Sequence, residues 1–158
     1  MGLISADLVQ FLHAGHSLLV GSRDGARRSE ATRAVAIVVG DDRTHVTLYL
    51  PDAAGARTLA NLAVAPVIAV ACSAAVDLRS VQLKGVVVAQ RPARDDERAV
   101  VEAYRERFAS HLTVVGMARG LTRRLRVWPC HAVEIEMREL FDQSPGPGAG
   151  GPLPGAAS

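Results

Sequence analysis

Cysteine is nearly absent from this 158-residue chain: Cys72 and Cys130 are the only two, far apart and in no CxxC pair. A disulfide framework is thereby excluded as the basis of the fold. The pattern suits a reducing compartment, so a cytoplasmic location is expected. An excess of charge of one sign is lacking as well. The formal net charge is +2, from 18 Lys and Arg against 16 Asp and Glu. No whole-molecule field therefore points to nucleic acid or a membrane as partner. No apolar run reaches the roughly 18 residues that a bilayer crossing needs. The first seven residues hold no basic region leading into a long apolar stretch, so no signal peptide is expected. The five histidines (His13, His16, His45, His111 and His131) show neither HExxH nor HxxxH spacing, which leaves a zinc site without support. There is no GxSxG and no P-loop. Gly146, Gly148, Gly150 and Gly151 lie in a tail without the preceding strand and following helix of a dinucleotide fingerprint.

What is present is the composition of one folded domain, 49% hydrophobic and 22% charged. Ser5 is a good helix N-cap, with Asp7 in the first turn, Leu8, Phe11 and Leu12 on one face and Gly15 as terminator. Three strands are then expected over residues 17–20, 32–39 and 45–50. The polar turn Arg23-Asp24-Gly25-Ala26-Arg27-Arg28 and the turn Gly40-Asp41-Asp42 separate them. Residues 56–65 read as a helix, and 67–74 and 80–90 as strands, the second bent or bulged at Gly85. Asp95, Asp96 and Glu97 open a long helix with Val100, Tyr104 and Phe108 on one face, and a short helix is expected within 116–126. Residues 132–137 alternate Val133, Ile135 and Met137 against Glu134 and Glu136, a strand with one wet face.

Six strands without regular β–α alternation argue against a doubly wound sheet. The expected fold is mainly β, a six-stranded antiparallel split β-barrel flanked by helices, because a twisted sheet of this size removes its edges by closing. It occupies residues 1–142. Residues 143–158, rich in Gly, Pro and Ala, are expected to form a flexible tail.

Four stretches then carry a resemblance: Arg33 to Val39 with Val46 to Leu50; Gly55-Ala56-Arg57-Thr58-Leu59-Ala60-Asn61-Leu62 ending near Pro66; Val81-Gln82-Leu83-Lys84-Gly85-Val86; and Arg126-Val127-Trp128-Pro129. In this order and spacing they resemble the FMN-binding split-barrel family of pyridoxamine 5'-phosphate oxidase, over roughly residues 3–142. The resemblance implies a homodimer with FMN in a cleft between subunits and a flavin-dependent oxidoreductase acting on a small-molecule substrate. It places Arg33 and Arg57 at the cofactor phosphate, and it makes Tyr49, Thr58, Gln82, Lys84 and Trp128 further cofactor-binding candidates. Where the family often has lysine, this chain has Val38 and Thr58.

Each candidate also has a plainer reading. Arg57 could be a solvated residue at a helix start, and Arg33 a residue of the sheet rim. Gln82 and Lys84, on one side of their strand, could form a polar outer face. Trp128, the only tryptophan, could fill core, and Arg123, Arg124 and Arg126 could be a solvated helix face. Three functions follow from the resemblance: an FMN-dependent oxidoreductase, a non-catalytic barrel holding flavin, deazaflavin or haem, and a structural dimer without cofactor. Haem would need an axial histidine, and the spacing selects none of the five.

Overall fold

The computed structural model describes residues 2–154. The elements run α1 (Ala6–His13), β1 (Ser17–Arg23), β2 (Ser29–Ala34), β3 (Ala36–Val39), β4 (His45–Pro51), α2 (Asp52–Val64), β5 (Val67–Ser73), β6 (Ser80–Pro92), a 3₁₀ turn (Asp95–Glu97), α3 (Arg98–Val114), α4 (Arg119–Thr122) and β7 (Cys130–Asp142). Every strand pairing is antiparallel, in the order β2-β1-β5-β6-β7-β4-β3.

The strand count is seven rather than six. The single strand expected over 32–39 bends at Val35 and divides, β2 pairing with β1 and β3 with β4 at the opposite edge of the sheet. The Val35 N–H donates to the Tyr49 carbonyl at 2.9 Å, so the bend is itself hydrogen-bonded. Two strands consecutive in the chain thus lie at the two ends of the order, and the sheet curls into a half-barrel. No turn residue marks the bend, because Arg33-Ala34-Val35-Ala36 reads as continuous strand.

The concave side holds the core. Leu18, Val20, Val70, Leu83, Leu48 and Ile135 are each at most 1% exposed. The alternation that buries them turns their neighbours outward, so the same strands define an outer face. α1 is capped as expected: Ser5 Oγ accepts from the Leu8 N–H at 3.2 Å, and Gly15 takes φ +88°. A Cβ at Gly15 would also lie 2.4 Å from the Cβ of Arg107, so glycine is required there twice over. α3 docks by capping carbonyls around the end of α1. Tyr104 Oη donates to His16 O, Arg107 Nε to His13 O and His111 Nε2 to Ala14 O, each at 3.0 Å. The buried side chains of α3 are Val101, Tyr104 and Ala109, whereas Val100 is 41% exposed, which turns the helix from the expected face.

α2 begins at Asp52, four residues before its expected start. Gly55 and Arg57 therefore lie within the helix rather than in a turn ahead of it. β7 extends five residues beyond its expected end, and β6 carries the irregularity expected at Gly85. Of the expected flexible tail, residues up to Pro154 lie back along β7: Leu153 N–H donates to Leu140 O and Asp142 N–H to Gly151 O, both at 2.9 Å. Residues 155–158 lie outside the described residues. No described helix is long and apolar enough to cross a membrane.

Candidate functional site

The outer face of β1, β5 and β6 is made of small and apolar residues in register. Leu19 lies opposite Ala71 and Ala71 opposite Gln82; one row further, Gly21 lies opposite Ala69 and Ala69 opposite Lys84. Leu19 is 48% and Val67 42% exposed, so among the described residues no element covers this part of the face. A cavity of about 400 Å³ opens on it. Gly21, Ala69, Val67 and Val86 supply an apolar floor, and Arg23, Lys84, Arg138 and Glu139 the charged wall. That volume and lining are those of a small-molecule site, apolar with a few placed polar groups. At Gly21 a Cβ would find its nearest neighbours, Ala69 Cβ and O, only at 3.9 Å. The floor there is open, a cradle that a side chain would fill and a flat ring can occupy.

The residues expected from sequence divide into separate groups. Gln82 and Lys84 stand together on this face, with Lys84 Nζ 4.7 Å from the Phe141 ring centroid. Arg57, on α2, lines a second, polar cavity of about 440 Å³ together with Asp24, Arg28, Glu30 and Asn61 among others, and its neighbour Thr58 does not reach it. There Arg57 Nε meets Glu30 at 3.0 Å, and Arg28 Nε meets Asp24 at 2.8 Å, so both cations already have carboxylates. Thr58 is fully buried, its hydroxyl without a hydrogen-bond partner. Arg33 lies apart, donating to Ser17 Oγ at 2.8 Å with its guanidinium 5.8 Å from the Phe108 ring centroid.

Tyr49 faces a different environment. Its hydroxyl donates to Glu97 at 3.0 Å, and Glu97 receives both terminal nitrogens of Arg91 at 2.8 and 2.9 Å. The Arg91 hydrogen bonds hold the Glu97 carboxyl at about 2, and burial together with Glu97 pushes the Tyr49 phenol far up. A phenol so held is neutral and engaged, not poised to donate to a ligand. Trp128, half-buried and joined to Pro129 by a cis peptide, has the Arg98 guanidinium 5.9 Å from its ring. Two polar pairs had no sequence signal. His131 Nδ1 and Asp52 are 2.7 Å apart, and the His16 and His111 rings lie 4.8 Å apart between α1 and α3. Among the described residues no three His, Cys, Asp or Glu side chains are grouped to hold a metal ion.

Solved structures of similar shape settle the fold. HupZ from Group A Streptococcus matches at 14% identity over 93% of this chain and 99% of that one, with TM-score 0.57. An F420 reductase matches at 10% identity over 83% and 93% of the two chains (TM-score 0.55), and an FMN-binding protein from Syntrophomonas wolfei at 8% over 86% and 83% (TM-score 0.53). The fold is the split barrel of the pyridoxamine 5'-phosphate oxidase-like proteins. The sequence resemblance therefore holds at the level of architecture. No protein-family model matches the chain, and no curated protein matches it in sequence.

In split-barrel terms, the uncovered face belongs to β1, β5 and the first half of β6. Arg23 and Arg138, on that face's cavity, were missed in the sequence because Arg23 reads as part of a turn and Arg138 lies past the expected end of its strand.

Proposed function

We propose that this split barrel binds a flavin-type cofactor, FMN in the first instance, as a cytoplasmic homodimer that carries out electron transfer on a small-molecule substrate. The observation that carries the reading is the cavity on the outer face of β1, β5 and β6, whose floor is Gly21, Ala69, Val67 and Val86. An F420 reductase and an FMN-binding protein of the same fold support a cofactor of this class. When bound, the flavin supplies the redox chemistry. The chain's part is to bind, orient and exclude water: small floor residues admit the ring, Lys84 and Gln82 border it, and the apolar floor keeps the dielectric low. A second copy laid over Leu19, Val67 and Val88, which are 42–53% exposed, would bury that apolar surface and enclose the cavity between subunits. The two cysteines, both buried and unpaired, accord with a reducing compartment.

One observation favours the alternative of a barrel without cofactor. Arg57, which the resemblance places at the phosphate, is held by Glu30, and the Thr58 hydroxyl is sealed in α2. A phosphate at that place would have to share Arg57 with that carboxylate.

The absorbance spectrum of the purified protein, titrated with FMN beside Gly21→Val, decides between them. A shifted flavin band for the wild type, lost in Gly21→Val, supports the proposal, and reduction of the complex by a nicotinamide cofactor would extend it to catalysis. No shift at tens of micromolar FMN rejects it in favour of the cofactor-free barrel.

A further inference from the structure

β6 and β7 lose register at one point that bears on the cavity. Lys84 lies opposite Glu139 and Gly85 opposite Met137, which leaves Arg138 as an extra residue on β7 without a partner. The bulge breaks the in–out alternation, so Arg138 and Glu139 are both exposed between buried Met137 and Leu140. Gly85 fixes where it occurs. A Cβ on Gly85 would lie 2.5 Å from the Glu136 carbonyl oxygen and 2.7 Å from Ile135 Cγ2.

The consequence is electrostatic. Outward-facing after buried Met137 and left unpaired by the bulge, Arg138 joins Lys84 and Arg23 on the wall of the 400 Å³ cavity, where Glu139 is the one carboxylate. Arg138 also meets Glu136 at 2.9 Å, a contact that leaves its remaining N–H groups available. Arg23 and Lys84 have no ion-pair partner among the described residues. In the polar cavity at α2 both cations, Arg57 and Arg28, meet a carboxylate, whereas here Arg138 does and Arg23 and Lys84 do not.

Resting on the flavin-type reading above, we infer that Arg138, Lys84 and Arg23 form an anion subsite that takes the phosphate of the bound cofactor in place of Arg33 and Arg57. The ligand class is a flat aromatic ring carrying a terminal phosphate: the ring lies on Gly21 and Ala69, and the phosphate reaches the three cations. Guanidinium groups suit this task because two parallel N–H donors match two phosphate oxygens.

The test compares FMN with riboflavin, which lacks only the phosphate, by fluorescence titration of wild type, Arg138→Met, Arg23→Met and Arg57→Met. The wild type should prefer FMN by well over tenfold. Arg138→Met and Arg23→Met should each weaken FMN about tenfold, the worth of one charge-assisted contact, with riboflavin unchanged. Arg57→Met should bind both as the wild type does. Equal wild-type affinities for the two ligands, or FMN loss confined to Arg57→Met, would overturn the subsite while leaving the flavin reading intact. If neither flavin binds, the flavin reading fails and inorganic pyrophosphate probes the cations alone. Pyrophosphate binding weakened in Arg138→Met then upholds the subsite, and no binding ends it.

Discussion

The outer face of the sheet is built in two ways. Over β4, β7 and the far end of β6 it is covered: Tyr49, Ala132 and Arg91 stand in register, and the 3₁₀ turn before α3 lowers Glu97 onto them. Over β1, β5 and the near end of β6 none of the described residues covers it, and it is made of Leu19, Gly21, Ala69 and Ala71. The covered part contains polar groups because their partners lie within the chain, and each bond there is satisfied internally. The bare part contains small and apolar groups with a cationic rim. It is the surface a second copy and a ligand could complete. The difference separates residues that serve stability from residues free to serve binding.

The sharpest way to break the contrast is to open the covered part. Glu97, only 8% exposed, accepts from Tyr49, from both terminal nitrogens of Arg91 and from the Arg94 N–H. Glu97→Ala leaves the buried Tyr49 phenol and the part-exposed Arg91 guanidinium without their acceptor. The expected loss is about 2–3 kcal/mol in urea denaturation, the cost of a buried phenol left without its acceptor together with a part-exposed ion pair. A loss below 1 kcal/mol would mean that water replaces the carboxylate readily and that this region is not sealed.

The boundary between the two parts lies at the bulge. Gly85→Ala would press a methyl group on the Glu136 carbonyl at 2.5 Å, so either β7 shifts or the bulge migrates. A cost of about 1–3 kcal/mol is expected, the range for overpacking. Arg138 should lose its place on the cavity at the same time, so FMN binding should weaken with stability in this variant, whereas in Gly21→Val only binding should change. Retained FMN affinity in Gly85→Ala would uncouple the bulge from the site.

The bare part should tolerate what the covered part does not. Leu19→Asp places a charge on a residue already 48% exposed, so monomer stability should move by no more than about 0.5 kcal/mol. The proposed dimer should dissociate, since two carboxylates would be buried at an isologous interface. Sedimentation velocity reads this directly. A Leu19→Asp protein that remains a dimer would assign the subunit contact to some other surface.

This division explains which features were legible in the sequence. Local signals held where local chemistry decides: the Ser5 cap, the Gly15 terminator and the irregularity at Gly85 follow from side-chain size and backbone freedom alone. The bend at Val35 did not show, because a run of Arg33-Ala34-Val35-Ala36 carries no turn residue and is bent only by pairing with strands at opposite ends of the sheet. Arg138 was hidden for a related reason. The alternation that marks a strand ends at Met137, and a bulge continues the strand by breaking that alternation. Among the candidate site residues, Gln82 and Lys84 come together because residues two apart on a strand share a face. The others depended on helix phase and on partners such as Glu30 and Glu97, whose pairing is long-range.

A smaller effect should come from the covered side at its edge strand, where α1 meets β3. His13 Nε2 accepts the Val39 N–H at 2.9 Å, which only an unprotonated nitrogen can do. Burial, and then the Arg107 guanidinium, hold its pKa below the ordinary histidine value. In the unfolded chain the imidazole protonates near pH 6.5, while in the folded chain it resists until lower pH. The contact's contribution is therefore complete above about pH 6.5 and is lost as pH falls from there through the folded-state pKa. His16 adds to the same slope: burial and then His111 lower its pKa too. Denaturation midpoints measured between pH 8 and pH 5 should fall toward acid, and His13→Gln, whose amide oxygen can accept the same N–H without titrating, should flatten part of that fall. Leu19→Asp should leave the slope between pH 8 and 6 unchanged, because its carboxylate is already charged there. A His13→Gln protein with the full wild-type slope would show that the α1–β3 edge is not where the acid sensitivity lies.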